Sequence, residues 1–189
     1  MSTKARVVIA EDEAIIRLDL KEMLEEEGFE VIGEAADGES AIRLARDLKP
    51  DLVIIDIKMP VLDGLSAAER IVDDDLGGVV MLTAFSQRDL VARAGRAGAL
   101  AYVVKPFQKA DLMPAIEMAL ARHADISALR AESSKLNRRL EARVLLDKAK
   151  GKLMDERGMT EAEAFRWLQK KAMDERRPVR DVARELLDA

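Results

Sequence analysis

The sequence contains no cysteine and a single histidine, His123, and both shortages restrict its chemistry. Without thiols it has neither a disulfide framework nor a thiolate metal site, and one histidine excludes a histidine-rich metal site. Aromatic residues are also scarce, with one Trp, one Tyr and four Phe. Any hydrophobic core must therefore be built from Val, Leu, Ile, Ala and Met.

Long apolar runs are missing as well. No stretch approaches the roughly 20 apolar residues that a membrane-spanning helix needs. The first residues, 1–4, lead directly into a strand-like segment and lack the charged, apolar and small-residue order of a secretory signal. We therefore expect a cytoplasmic protein.

Charge is distributed unevenly along the 189 residues, although the net charge is only −5. Residues 1–124 contain 15 basic and 23 acidic side chains, a net charge of −8, whereas residues 125–189 contain 16 and 13, a net charge of +3. The acidic half is suited to a cation and the basic half to a polyanion. A small positive charge is, however, also common on the solvated face of helical domains.

Short apolar runs alternate with amphipathic stretches over the first two thirds of the chain. The runs contain four to six residues, which is typical of strands buried on both faces of a parallel sheet. Five βα units predict a doubly wound α/β domain with right-handed crossovers. The predicted strands are Arg6–Ala10, Val31–Ala35, Leu52–Ile55, Val79–Leu82 and Ala99–Val104, and the predicted helices are 13–27, 38–48, 64–74, 86–96 and the segment from 109 onward.

Polar side chains follow four of the predicted strands at the point where each strand ends. Glu11 and Asp12 follow the first strand, Asp56 the third, Thr83 the fourth and Lys105 the fifth. Alone, each has an ordinary explanation as a helix cap, a turn residue or a surface residue. Together they meet at the sheet edge where ligands bind in open parallel sheets. Crowded carboxylates favour Mg²⁺, and the set suits a nucleophilic Asp56 whose phosphoryl transfer is aided by Lys105 and Thr83.

The polar residues at the strand ends lie within longer motifs. These are Val-Val-Ile-Ala-Glu-Asp-Glu at 7–13, Asp-Leu-Val-Ile-Ile-Asp-Ile-Lys-Met-Pro at 51–60, Asp63-Gly64, Met-Leu-Thr-Ala at 81–84 and Lys105-Pro106-Phe107. With these motifs, residues 5–120 resemble the receiver domain of bacterial two-component response regulators. The resemblance implies a flavodoxin-like (βα)5 fold and phosphorylation of Asp56 by a sensor histidine kinase.

The same resemblance implies roles for individual residues. Tyr102 occupies the position of the family's switch aromatic, and the Lys105–Pro106 bond is expected to be cis. Beyond phosphoryl transfer to its own Asp56 and slow hydrolysis, we expect no enzymatic activity. The expected Mg²⁺ ligands are Glu11, Asp12, Asp56 and the carbonyl group of Lys58.

Segment 123–140 predicts a helical linker. Its apolar residues follow the 3-4 spacing of a coiled coil, so we expect a phosphorylation-dependent homodimer that pairs through this helix. The alternative is a helix that packs on its own domain. The residues with this spacing are Ile126, Leu129, Ser133, Leu136 and Leu140.

We expect the receiver domain to comprise residues 1–122, followed by the linker. Residues 141–189 then predict a small all-α domain of three helices. The first helix is expected to end near Arg157-Gly158, a capping box of Thr160 and Glu163 opens the second, and Pro178 opens the third. Its expected core consists of Met154, Phe165, Leu168, Ala172, Met173, Val182, Ala183 and Leu186.

This last domain contains Ala-Lys-Gly-Lys-Leu-Met at 149–154, Thr-Glu-Ala-Glu-Ala-Phe at 160–165, Leu168, Ala172-Met173 and Asp-Val-Ala at 181–183. With these residues it resembles the ANTAR family, whose members bind paired hairpin loops in nascent transcripts and prevent termination. The resemblance implies an RNA partner and an architecture similar to actinobacterial antitermination regulators.

RNA loops are bound by stacking on aromatic side chains and by contacts to phosphates. Trp167 is the candidate for stacking, with a place in the core or an interface as the alternative. For each basic residue the alternative is a solvated charge. The candidates for phosphate contact are Lys148, Lys152, Arg166, Lys170, Lys171 and Arg177.

Three other functions remain open from the sequence. A DNA-binding response regulator needs an exposed recognition helix, and the last helix is short and carries Asp181, Glu185 and Asp188. A second alternative is a module whose helices bind a protein after phosphorylation. An aspartyl phosphatase needs a second acid two residues after the nucleophile, where this chain has Lys58.

Overall fold

The structure is a computed structural model that describes residues 4–84, 93 and 95–188. The chain divides into two compact units, Met1–Ser127 and Ala128–Ala189. No helix in the described part of the chain is both long and apolar enough to cross a membrane.

The first unit contains a five-stranded parallel sheet in the order β2-β1-β3-β4-β5, which confirms the doubly wound α/β fold. Helices α1 (Ala14–Glu26), α2 (Gly38–Leu48) and α3 (Gly64–Asp73) connect the strands. The predicted helix 86–96 falls largely outside the described residues. The strands are β1 (Arg6–Ala10), β2 (Glu30–Ala35), β3 (Leu52–Asp56), β4 (Gly78–Thr83) and β5 (Ala101–Val104).

The continuous apolar runs of β3 and β4 arise because helices cover both faces of the sheet. Every residue of these two strands is buried. Val53 and Ile55 belong to a core shared with α2 and α3, whereas Ile54 belongs to a second core that includes Leu20 of α1. Alternate side chains of one strand therefore fill two cores, and this packing fixes the strand ends in place.

The second unit contains the end of helix α4 (Lys109–Arg157), α5 (Glu161–Asp174) and α6 (Val179–Asp188). Gly158, with φ +64°, follows the end of α4. The Thr160 hydroxyl accepts a hydrogen bond from the Glu163 N–H, and the Glu163 carboxylate accepts one from the Thr160 N–H at 2.8 Å. The predicted helix end and capping box are thus confirmed.

The core of the second unit is narrower than the sequence predicted. Met154 and Phe165 are each 40% exposed and Met173 is 77% exposed, so their assignment to the core was wrong. Each follows a buried neighbour, and consecutive residues are separated by about 100° around a helix. The buried core consists of Ala149, Leu153, Ala164, Leu168, Ala172, Val182 and Ala183, with Leu186 partly buried against it.

Candidate functional site

The register of the parallel sheet brings the predicted polar residues to one edge. Ala10 of β1 is aligned with Ile55 of β3, so the next residues of each strand, Glu11 and Asp56, are neighbours. Thr83 ends β4 and is aligned with Val104 of β5. Lys105, which follows Val104, therefore emerges at the same edge.

Three carboxylates form the centre of this edge. One oxygen from each of Glu11, Asp12 and Asp56 lies within 4.8 Å of the other two. Glu11 is fully buried and Asp56 almost so, whereas Asp12 is exposed. The cluster is therefore reached from the side of Asp12. Three clustered carboxylate oxygens are the donor set that a hard cation such as Mg²⁺ prefers, so these residues fit the expected metal.

The Lys105 ammonium group lies between the two buried carboxylates. Its Nζ atom is 2.6 Å from Glu11 Oε2 and 3.1 Å from Asp56 Oδ1. Burial raises the pKa of Glu11 and of Asp56, and Lys105 only partly offsets that effect. Burial also lowers the pKa of Lys105, but the hydrogen bond that Lys105 donates to Glu11 and the charge of Asp56 outweigh it and raise the pKa overall. The lysine therefore remains charged.

The other predicted residues surround this centre. Thr83 is buried, one position beyond the β4 residue aligned with Asp56. The Lys58 side chain is exposed, and its backbone N–H donates a hydrogen bond to the Asp56 carboxylate. Tyr102, on β5, is 47% exposed. The Lys105–Pro106 peptide bond is cis.

Gly64 has a steric role at this edge. A Cβ atom at Gly64 would lie 1.8 Å from the backbone oxygen of Asp56, far inside any allowed contact. The Gly64 N–H donates to the Ile57 carbonyl oxygen at 2.9 Å. Helix α3 thus begins directly against the backbone of Asp56, and only glycine fits this position. The Asp63-Gly64 motif therefore has a packing explanation.

Sequence reasoning missed Arg93, which lines the mouth of the cluster. It borders a cleft of about 530 Å³ together with Asp12, Lys58 and Asp63. Arg93 is exposed and is far in sequence from the motifs that mark the other residues. No spacing or motif in the sequence points to it.

In the second unit, three of the predicted RNA-contacting residues already have partners within the protein. Lys152 donates a hydrogen bond to the Leu186 carbonyl oxygen at 3.0 Å. Arg177 lies 2.6 Å from Glu185, and Lys171 lies 3.9 Å from the same carboxylate. These contacts connect α4, α5 and α6.

Trp167 also has intramolecular contacts. It is partly buried against the core of the second unit. The Arg157 guanidinium lies 4.8 Å and the Lys171 ammonium 5.4 Å from the centre of its ring. Such distances are typical of cation–π contacts. The ring therefore contributes to packing between α4 and α5.

The remaining predicted RNA-contacting residues are open to solvent. Lys148, Arg166 and Lys170 are exposed. Within the described residues, no carboxylate oxygen lies within 4.0 Å of their charged nitrogen atoms. The structure thus separates the seven predicted residues into a paired group and a solvated group.

Comparison with known proteins matches both units. A response regulator receiver domain matches residues 7–117 and an ANTAR domain matches residues 134–187. Transcriptional regulatory protein PdtaR of Mycobacterium tuberculosis is 55% identical over 183 residues, which cover 97% of this chain and 89% of that protein. Chemotaxis protein CheY of Thermotoga maritima is 38% identical over 112 residues, covering 59% of this chain and 93% of that protein.

Solved structures show the same receiver fold. The signal receiver domain of a modulated diguanylate cyclase from Desulfovibrio desulfuricans G20 superposes with a TM-score of 0.60 at 31% identity, covering 65% of this chain and 98% of that one. Together with the parallel sheet and the acidic edge, these matches establish the family. The chain belongs to the two-component response regulators that combine a receiver domain with an ANTAR domain.

Proposed function

We propose that the protein is a phosphorylation-controlled, RNA-binding antitermination regulator of the cytoplasm. A sensor histidine kinase phosphorylates Asp56, and the ANTAR domain then binds hairpin loops in nascent transcripts. The observation that carries the proposal is the buried Asp56 carboxylate beside Glu11, Asp12 and Lys105, in a chain that also contains an ANTAR domain. A relative named as a transcriptional regulatory protein supports the same output.

Phosphoryl transfer is the one catalytic step that we propose for the acidic edge. An Asp56 oxygen attacks phosphorus, a new O–P bond forms, and the bond to the donor breaks. Glu11, Asp12, Asp56 and the Lys58 carbonyl would hold Mg²⁺, which would supply positive charge against the phosphoryl oxygens. Lys105 contributes a positive charge 3.1 Å from Asp56 and also holds the carboxylate in position.

Phosphorylation replaces one negative charge with a larger one that has strong acceptor oxygens. The Thr83 hydroxyl, at the end of the adjacent strand, donates a hydrogen bond to a phosphoryl oxygen. Movement of Thr83 changes the space available to Tyr102, which is half-exposed on the next strand. The surface around β5 therefore differs between the two states.

We propose that this change favours pairing of two chains through α4. Leu129, Leu136 and Leu140 are 66%, 56% and 62% exposed. They follow the 3-4 spacing of a coiled coil, so a second copy of the helix buries them in one continuous seam. Exposed leucines at this regular spacing support pairing over a helix that is packed on its own domain.

Within the output domain, the solvated residues Lys148, Arg166 and Lys170 are the strongest candidates for phosphate contacts. The charged groups of Lys152, Lys171 and Arg177 already contact oxygen atoms of Leu186 or Glu185. They can therefore contact an RNA phosphate only while they also bind these partners, or after leaving them. For Trp167 we favour a packing role over base stacking, because the charged groups of Arg157 and Lys171 already lie over its ring.

The test is RNA binding with and without acetyl phosphate and Mg²⁺, using a twin-hairpin RNA. We expect tighter binding and dimerisation with the donor, and neither change in Asp56→Asn. Asp19→Asn, an exposed aspartate on α1, is the matched control and should behave as the wild type. Equal RNA affinity in both states, with Asp56 phosphorylated, contradicts the switch. Preference for duplex DNA as competitor assigns the output to DNA instead.

A further inference from the structure

The second unit contains a groove between α4 and α5 to which the proposed function assigns no role. It has a volume of about 570 Å³, within the range of pockets that hold small organic ligands. Its apolar lining consists of Leu146, Gly151, Met154 and Phe165, and its charged lining consists of Arg143, Asp147, Lys150 and Glu161. Met154 and Phe165 are the side chains that the sequence had assigned to the core.

Gly151 lies inside a helix, where glycine is unfavourable relative to alanine. A Cβ atom added to Gly151 would meet no atom within 4 Å, so packing of the domain does not require a glycine. The space above the backbone is open, between the exposed Met154 and Phe165 side chains. A glycine without a packing role marks a place where an external group approaches the helix backbone closely.

Lys150 is fixed at the rim of this groove. Its Nζ atom lies 2.8 Å from Asp147 and 2.7 Å from Glu161, and its side chain is only 16% exposed. The two carboxylates are themselves 56% and 70% exposed. The hydrogen bond from Lys150 holds the pKa of Asp147 below its ordinary range, so this carboxylate is a hydrogen-bond acceptor at neutral pH. The rim thus offers one donor between two acceptors.

The composition of the rim disfavours a second copy of the helix as the occupant. Continuing the 3-4 spacing from Leu136 and Leu140 leads to Arg143, Asp147 and Lys150. Three successive charged residues at core positions end a coiled-coil seam, because identical helices place like charges opposite each other. The seam predicted for the linker therefore stops before the groove.

A nucleobase matches each part of the groove. Its flat face packs against an aromatic ring and a thioether, and its edge contains both N–H donors and oxygen or nitrogen acceptors. Between Arg138 and Arg157 the chain carries seven basic and four acidic residues, so a polyanion is attracted to this part of α4.

We propose that this groove binds one unpaired base of an RNA hairpin loop, an inference that rests on the proposed RNA-binding function. The base lies over Gly151 and contacts Met154 and Phe165. Its edge donates to Asp147 or Glu161 and accepts from Lys150. Gly151 is therefore a binding residue of the output domain.

The decisive variant is Gly151→Ala, because it should raise the stability of the second unit and lower its affinity for RNA. The added methyl group raises helix propensity and should raise the Tm of the second unit by a few degrees. It also fills the space above the backbone, and RNA affinity should fall at least tenfold. Ser134→Ala, an exposed substitution on the same helix, is the matched control and should leave affinity unchanged. Phe165→Leu should weaken binding while Tm changes little.

The probe is a pool of RNA hairpins with a common stem and a randomised loop, incubated with acetyl phosphate-treated protein. Wild type that retains hairpins while Gly151→Ala and Phe165→Leu do not supports the groove. Retention by both variants within twofold of the wild type overturns it and leaves RNA binding intact. A wild type that retains no hairpin overturns the RNA function itself. If Gly151→Ala instead abolishes the dimer in light scattering, the groove belongs to a second copy, and the proposal is wrong.

Discussion

The receiver unit (the first unit, Met1–Ser127) and the output unit (the second unit, Ala128–Ala189) use glycine in opposite ways. At Gly64 a Cβ atom would collide with the backbone of Asp56, whereas at Gly151 it would meet nothing within 4 Å. The first glycine is required by packing and the second is not. The difference shows that the acidic edge is determined by the fold, while the output surface keeps open space that the fold does not need.

The two units also contain the same group of charges in different surroundings. Lys105 lies between Glu11 and Asp56, and Lys150 lies between Asp147 and Glu161. In the receiver the carboxylates are buried, and burial raises the pKa of both. In the output unit the carboxylates are exposed, and the hydrogen bond from Lys150 lowers the pKa of Asp147. Burial therefore makes the receiver charges costly, which favours a ligand that offsets them.

Gly64→Ala should have the largest effect on stability. Its methyl group cannot be accommodated without moving the start of α3 away from Asp56, so the free energy of unfolding of the receiver unit should fall by about 3 kcal/mol or more. Phosphorylation by acetyl phosphate should fall as well. Denaturant titration followed by circular dichroism measures the receiver transition.

The single tryptophan provides the control for that titration. Trp167 lies in the output unit, so its fluorescence follows only the second transition. Gly151→Ala is the matched variant and should raise the output transition by about 0.5–1 kcal/mol. If Gly64→Ala left the receiver transition unchanged, the steric contrast between the two glycines would be refuted.

Particular residues show why the acidic edge was predictable from the sequence, whereas part of the core of the output unit and the position of Arg93 were not. Asp56 and Lys105 follow continuous apolar runs, and parallel strands bring such ends together, so the acidic edge followed from pattern alone. Met154 and Phe165 were assigned to the core because apolar character does not reveal which side of a helix faces its neighbours. Arg93 was missed because its position at the cleft depends on tertiary packing.

The contacts of Trp167 allow a smaller test of the output surface. Arg157→Ala removes the cation 4.8 Å from the ring, and the output transition should fall by about 0.5–1 kcal/mol. Lys148→Ala, which removes a solvated charge, should change stability by less than about 0.5 kcal/mol but should weaken RNA binding. If Trp167→Leu abolished RNA binding without destabilising the unit, Trp167 would be a stacking residue after all.

The smallest effect concerns the capping box of α5. The hydrogen bond from the Thr160 N–H lowers the pKa of Glu163. Its stabilising contribution is therefore complete above the unfolded pKa and is lost as pH falls through the folded pKa. Glu163→Gln keeps a capping acceptor that does not titrate. The Tm advantage of the wild type over this variant, measured by Trp167 fluorescence, should shrink between neutral pH and about pH 3. An advantage that stays constant or grows contradicts a stabilising charge at this cap.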